Sequence, residues 1–324
     1  MINFRFHIVS LIAIFLALAL GVVIGAGVID RGVVDTLNDR LDRVEAKSDQ
    51  QQLLNDILTA ANQRDDEFIE LFQPWGLEGR LTGEVVAFVA VRGVDEARVQ
   101  ATIAAAEQAG AGVSGVLWIE EKWGAGSDDA RALATSIGAP TLRSTKLREA
   151  AWSQLATRLA RPPLVSSDAA PDLLATLSDG GFVSYQEVDG GLAMSAFPGR
   201  GTMFVLVTGE DADVPNDEVV MPAARAFSAQ SLGLVIGDVF ADLELAPARG
   251  DVFDTLRDSG LARTISTVDD LDLTQGPATV ALTLVGLACA PPVVGHYGYG
   301  GADIAPLPEF TSACPGTGAS TSAR

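Results

Sequence analysis

The chain has 324 residues, with 22 Lys+Arg against 42 Asp+Glu and a formal charge of −20, yet 48% of it is hydrophobic. An acidic chain of this kind lacks the clustered cations that replace counterions on nucleic acid or anionic lipid. Its apolar content excludes wholesale disorder, and its length suits one large domain with an appendage, or two domains.

The apolar excess is concentrated first at the N-terminus. No charged residue lies between His7 and Asp30. The 22 residues 8–29 would span about 33 Å as a helix, the thickness of a bilayer's hydrocarbon core. A cleaved signal peptide is the alternative, and Gly25-Ala26-Gly27 has the small residues of a cleavage site. Its apolar stretch would be roughly 7–15 residues, however, so an uncleaved anchor is expected. The head at residues 1–7 is too short to be a domain, and it carries Arg5. That places the N-terminus in the cytoplasm and the bulk of the chain outside it. Gly21 and Gly25 have the small-xxx-small spacing that permits close helix packing.

Residues 30–73 read as a coiled-coil stalk. Val34, Leu37, Leu41 and Val44 follow a 3-4-3 spacing, Ser48 and Gln51 make the seam polar, and apolar residues resume at Leu54, Leu58, Ala61, Phe68 and Leu71 or Phe72 after a slip of three. This is a heptad pattern with a stammer. Val34, Leu37, Leu41, Val44, Leu54, Leu58 and Phe68 are therefore the candidate partner-binding face, for a second copy or for another membrane protein. A long helix folded back on its own domain is the competing interpretation. Gln73-Pro74-Trp75-Gly76 is expected to end the helix.

Residues 80–305 read as a three-layer α/β domain with a mostly parallel sheet. Continuous apolar runs of strand length occur at 84–91, 113–119, 203–208, 232–236 and 280–286, and helical segments lie between them. Strands buried on both faces lose polar alternation, which is the mark of a parallel sheet. The remainder, residues 306–324, is expected to be a flexible tail of Pro, Gly, Ser and Thr.

Catalytic signatures are missing from the sequence. No G-x-S-x-G, G-x-x-x-x-G-K-[ST] or H-E-x-x-H occurs, and His296 is the only histidine beyond the anchor. Adjacent carboxylates such as Asp269 and Asp270 usually point apart on an extended chain, and in an acidic protein such pairs arise by chance. No enzyme and no resident cofactor are expected. Cys289 and Cys314 are the only cysteines, with 24 residues between them. Outside the cell they would form a disulfide worth about 3 kcal/mol. If reduced, Cys289, His296 and Cys314 would be the candidate metal set, because thiolates select Cu(I).

Four features, in order along the chain, resemble the actinobacterial copper transport proteins of the MctB type. They are the anchor from His7 to Gly25, the stalk, the segment Ile265-Ser-Thr-Val-Asp-Asp-Leu-Asp272 followed by Val280-Ala-Leu-Thr-Leu-Val285, and the ending Gly295-His-Tyr-Gly-Tyr-Gly300. The resemblance implies a cell-envelope protein of copper homeostasis, with copper as a transported species and, for mycobacterial members, a channel role. It also implies an alternative: an anchored partner of a membrane protein that controls peptidoglycan hydrolysis during cell separation. The two cysteines do not belong to the family pattern.

Overall fold

The computed structural model describes residues 4–124, 126–142, 144–161, 172–240, 249–300 and 304–309, and within these all side chains except those of 26–35 and 144. The chain divides into two compact units, Met1–Asp65 and Asp66–Arg324. Helix α1 runs from Phe4 to Leu77.

In the first unit α1 is exposed along its described length apart from the half-buried Gly25, Ala60 and Ala61. Phe4–Gly25 has a mean hydropathy of 2.9 and is long and apolar enough to cross a membrane. A helix that is apolar on every side has no aqueous face to present, so lipid is the solvent that suits it.

The second unit is α/β with a mostly parallel sheet, as expected. Its elements are β1 (Val85–Val91), α2 (Glu96–Gln108), β2 (Gly112–Ile119), α3 (Ser127–Ser136), α4 (Ser144–Leu159), α5 (Leu173–Asp179), β3 (Val183–Gln186), β4 (Thr202–Gly209), α6 (Asn216–Ala229), β5 (Leu234–Val239), α7 (Asp254–Arg257), β6 (Ile265–Val268), α8 (Gly276–Leu287) and β7 (His296–Tyr297). The sheet order is β3-β2-β1-β4-β5-β6-β7, and only β3 is antiparallel to its neighbour.

The absence of alternation in the strands has a direct cause. Along β1, Val86, Phe88 and Ala90 pack against α2 and α8, whereas Ala87, Val89 and Val91 pack in the opposite layer with α4 and α6. Both faces are dry, so both must be apolar. The second layer is bulky: Trp123 and Trp152 meet edge to face at 5.2 Å. Asp95 caps α2 by accepting from the backbone N–H of Ala97 at 2.9 Å.

Two local expectations are corrected, and one strand is added. Residues 280–286 are the body of α8 and not a strand. Nine of its twelve residues are buried, and a helix buried on nearly every side shows no helical period. The α1 helix passes through Pro74 and ends at Leu77. Proline removes the bond to the fourth residue back and crowds that residue's carbonyl, yet the carbonyl of Pro74 itself stays in the helical pattern, accepting from Glu78 N–H at 3.1 Å. Finally, Ile265–Val268, within the Ser-Thr-Val-Asp-Asp block, is itself a strand.

Candidate functional site

The two sequence blocks that stood out, Ser-Thr-Val-Asp-Asp and Gly-His-Tyr-Gly-Tyr-Gly, meet at one end of the sheet. Strand β6 pairs with β7 in the register Thr267 with His296 and Val268 with Tyr297. Immediately beyond β6, Asp269 is fully buried and accepts hydrogen bonds from the backbone N–H of Tyr299 at 2.7 Å and of Gly300 at 3.2 Å. Arg257, on α7, closes the other side with an ion pair at 2.8 Å. Three donors on one carboxylate hold the loop after β7 against the loop after β6.

Asp270, the next residue, shares none of these partners. Both of its carboxylate oxygens are buried without a hydrogen-bond partner. Burial, reinforced by the charges of Asp269 and Asp272, pushes its pKa up to about 7. Asp238 at the end of β5 is similar: it is 3% exposed, its Oδ1 is unpartnered, and burial followed by Asp269 and Asp272 raises it to about 7. Asp272 is satisfied by a two-pronged contact from Arg249, at 2.6 and 2.8 Å. That hydrogen bond raises the Arg249 pKa further, and the guanidinium also lies 4.7 Å from the Phe240 ring. Asp238, Arg249 and Arg257 were not foreseen from the sequence. Asp269 and Asp270 were foreseen to point apart, and they do not share a partner.

The helix after β1 lies on one face of the sheet and the helix after β4 on the other. Strand order therefore reverses between β1 and β4, where open α/β sheets form a crevice at their carboxyl ends. A cavity of about 290 Å³ lies there, with Asp95, Asp211, Asp272 and Arg98 in its wall. Three carboxylates against one guanidinium make it unsuited to a phosphate, and the β1 turn has no glycine-rich cradle.

The predicted metal set is placed as follows. Cys289 is disulfide-bonded and 7% exposed, so it offers no thiolate. Cys314 lies outside the described residues. His296 has both ring nitrogens engaged: Nε2 faces the Ala262 carbonyl at 3.1 Å and Nδ1 faces the Thr267 hydroxyl at 2.9 Å. A carbonyl only accepts, so Nε2 carries the proton and Nδ1 accepts from Thr267. Burial keeps this imidazole below its ordinary pKa. Among the described residues, no group of three or more His, Cys, Asp or Glu is arranged to hold a metal ion.

The predicted partner face is open to solvent wherever it is described. Leu37 is 57%, Leu41 52%, Val44 64%, Leu54 50% and Leu58 59% exposed in the first unit, and Phe68 is 64% exposed in the second. The Val34 side chain lies outside the described residues.

The family described as "Copper transport outer membrane protein, MctB" matches residues 1–308. The chain belongs to the MctB family. Proteins named copper transporter MctB from Mycobacterium tuberculosis and Mycobacterium bovis are 30% identical over 322 residues, covering 93% of this chain and 97% of theirs. The match to the MctB family takes in the anchor, the stalk and both motif blocks. The sheet-end network around Asp269 therefore lies within the family's shared extent.

Proposed function

We propose that this protein is a membrane-anchored component of copper transport or homeostasis in the cell envelope, acting as an oligomer and without enzymatic chemistry. The observation that carries the proposal is the nearly full-length match to relatives named copper transporters. One apolar helix cannot enclose an aqueous path, because its backbone is satisfied internally and its side chains face lipid. A transport role thus requires several copies, and the exposed seam of Leu37, Leu41, Val44, Leu54, Leu58 and Phe68 is the surface available for assembly. The acidic excess, on a topology with the bulk outside the cytoplasm, favours cations near the protein without selecting one.

The test is a deletion strain grown across a copper series, with cell copper measured. It is complemented by the wild type, by Cys289→Ser, by His296→Ala, and by a chain with Leu41 and Leu58 both changed to Asp. Copper sensitivity or retained copper in the deletion strain, restored by the wild type and not by the seam variant, is the expected result. A deletion strain indistinguishable from its parent in both measures would remove the copper role.

The same seam supports a second reading, a non-enzymatic envelope scaffold that binds a membrane partner controlling cell separation. Its favouring observation is that the described residues hold exposed apolar helix but no metal-holding group. Co-purification from membranes, with and without residues 30–72, separates the two: a stoichiometric second protein lost with the stalk, beside normal copper handling, selects the scaffold.

A further inference from the structure

The described residues of the same chain leave the aromatic residues at the end of α1 largely uncovered. Phe68 is 64%, Phe72 40% and Trp75 76% exposed, and Leu71 beside them is 82% exposed. They are nevertheless packed on one another, with ring centroids 5.7 Å apart from Phe68 to Phe72 and again from Phe72 to Trp75. Next to them lies a groove of about 210 Å³, bounded by Phe68, Phe72 and Leu77 of α1, Ala278 and Leu282 of α8, and Leu307. An apolar surface of this kind, left in water, marks a docking face.

The spacing identifies its occupant. Counting on from Leu54, Leu58 and Ala61, the alternation of four and three falls on Asp65, Phe68, Phe72 and Trp75. Phe68 and Trp75 are thus d positions and Phe72 an a position of the stalk's own heptads. A surface with a 3.5-residue period is complementary to a helix with the same period. Copies anchored by the same apolar N-terminal segment run parallel, which sets every a and d residue against its own counterpart. Parallel pairing also places Arg40, at g, opposite Glu45, at the following e of the other copy, so opposite charges meet.

We propose that a second copy of this chain packs its Phe68, Phe72 and Trp75 on the same residues here, closing the apolar groove and extending the dimer contact into the α/β unit. The proposal rests on the self-association of the stalk argued above, and its test separates the two.

The experiment introduces single cysteines into the full-length chain in native membranes and oxidises mildly. Leu41→Cys reports the stalk, Phe68→Cys and Trp75→Cys report the aromatic cluster, and Glu70→Cys, at an f position facing away, is the control. Linked dimer is expected at Leu41, Phe68 and Trp75, in yields about tenfold or more above Glu70. In detergent, the double change Phe72→Ala with Trp75→Ala is expected to weaken self-association of the full chain about tenfold or more, the usual effect of truncating buried aromatic anchors. Linkage at Leu41 with Phe68 and Trp75 at the Glu70 level would overturn this contact and leave stalk pairing standing. No linkage at any position would remove both. A Trp75→Cys adduct of another mass, showing a different partner on the cluster, would also overturn it.

Discussion

The backbone at Gly298 and the carboxylate of Asp269 leave no room for a side chain between them. A Cβ at Gly298 would lie 1.9 Å from Asp269 Oδ1, and the residue sits at φ +128, where side chains are strained in any case. Gly298→Ala is therefore expected to displace the carboxylate from the Tyr299 and Gly300 amides. The loss should be about 2–4 kcal/mol, a lowered Tm in thermal unfolding of the full chain. An unchanged Tm would show that the loop after β7 is not held as described.

Arg257 is the cationic half of the same lock. Its side chain is 12% exposed and that of Asp269 is 0% exposed, so removing either leaves the other charge buried and uncompensated. Arg257→Met is expected to cost about 3–5 kcal/mol in denaturant unfolding. The double change of Arg257→Met with Asp269→Asn should cost less than the sum of the singles, because each deletion relieves the other.

His296 is expected to act in folding. His296→Ala leaves the Ala262 carbonyl and the Thr267 hydroxyl without their partner, a loss of about 1–3 kcal/mol. His296→Gln, which offers both a donor and an acceptor, should recover part of it. Copper titration of the purified protein with either change should match the wild type. A loss of copper binding with unchanged stability would instead return His296 to a ligand role.

How much of this was legible depended on how local each signal was. Strands β1, β2 and β4 were visible because each is a run of seven or eight mostly apolar residues, buried on both faces of the sheet. The α8 segment carries the same kind of run, Val280-Ala-Leu-Thr-Leu-Val285, and was read as a strand for that reason. Pro277 at the start of the helix and its twelve-residue length were the signals against a strand. Strand β6 was hidden by its four-residue length and its Ser and Thr. Asp269 and the Gly-Tyr-Gly turn were each conspicuous, but their contact spans about thirty residues and depends on Arg257, one arginine among many. Asp238 had no signal at all, since a carboxylate ending an apolar strand looks the same whether it meets water or protein.

Asp238 and Asp270 give the molecule a pH dependence whose sign can be worked out. Each has an ordinary value of 3.8 and is raised to about 7 by burial in the folded protein. The folded state thus binds protons that the unfolded state releases, and the corresponding stability is fully present below about 3.8 and is lost as pH rises through about 7. His296 works in the opposite sense: burial lowers it from 6.5, so its contribution is present above that value and falls away in acid. The interval from about pH 6.5 to 8 therefore belongs to the two aspartates, and Tm should fall across it. Asp238→Asn carries no charge to bury, so it should flatten that slope and raise Tm at pH 8 relative to the wild type. A wild-type Tm that stays level or rises from pH 6.5 to 8 would mean that these carboxylates are solvated, and the buried cluster would have to be redrawn.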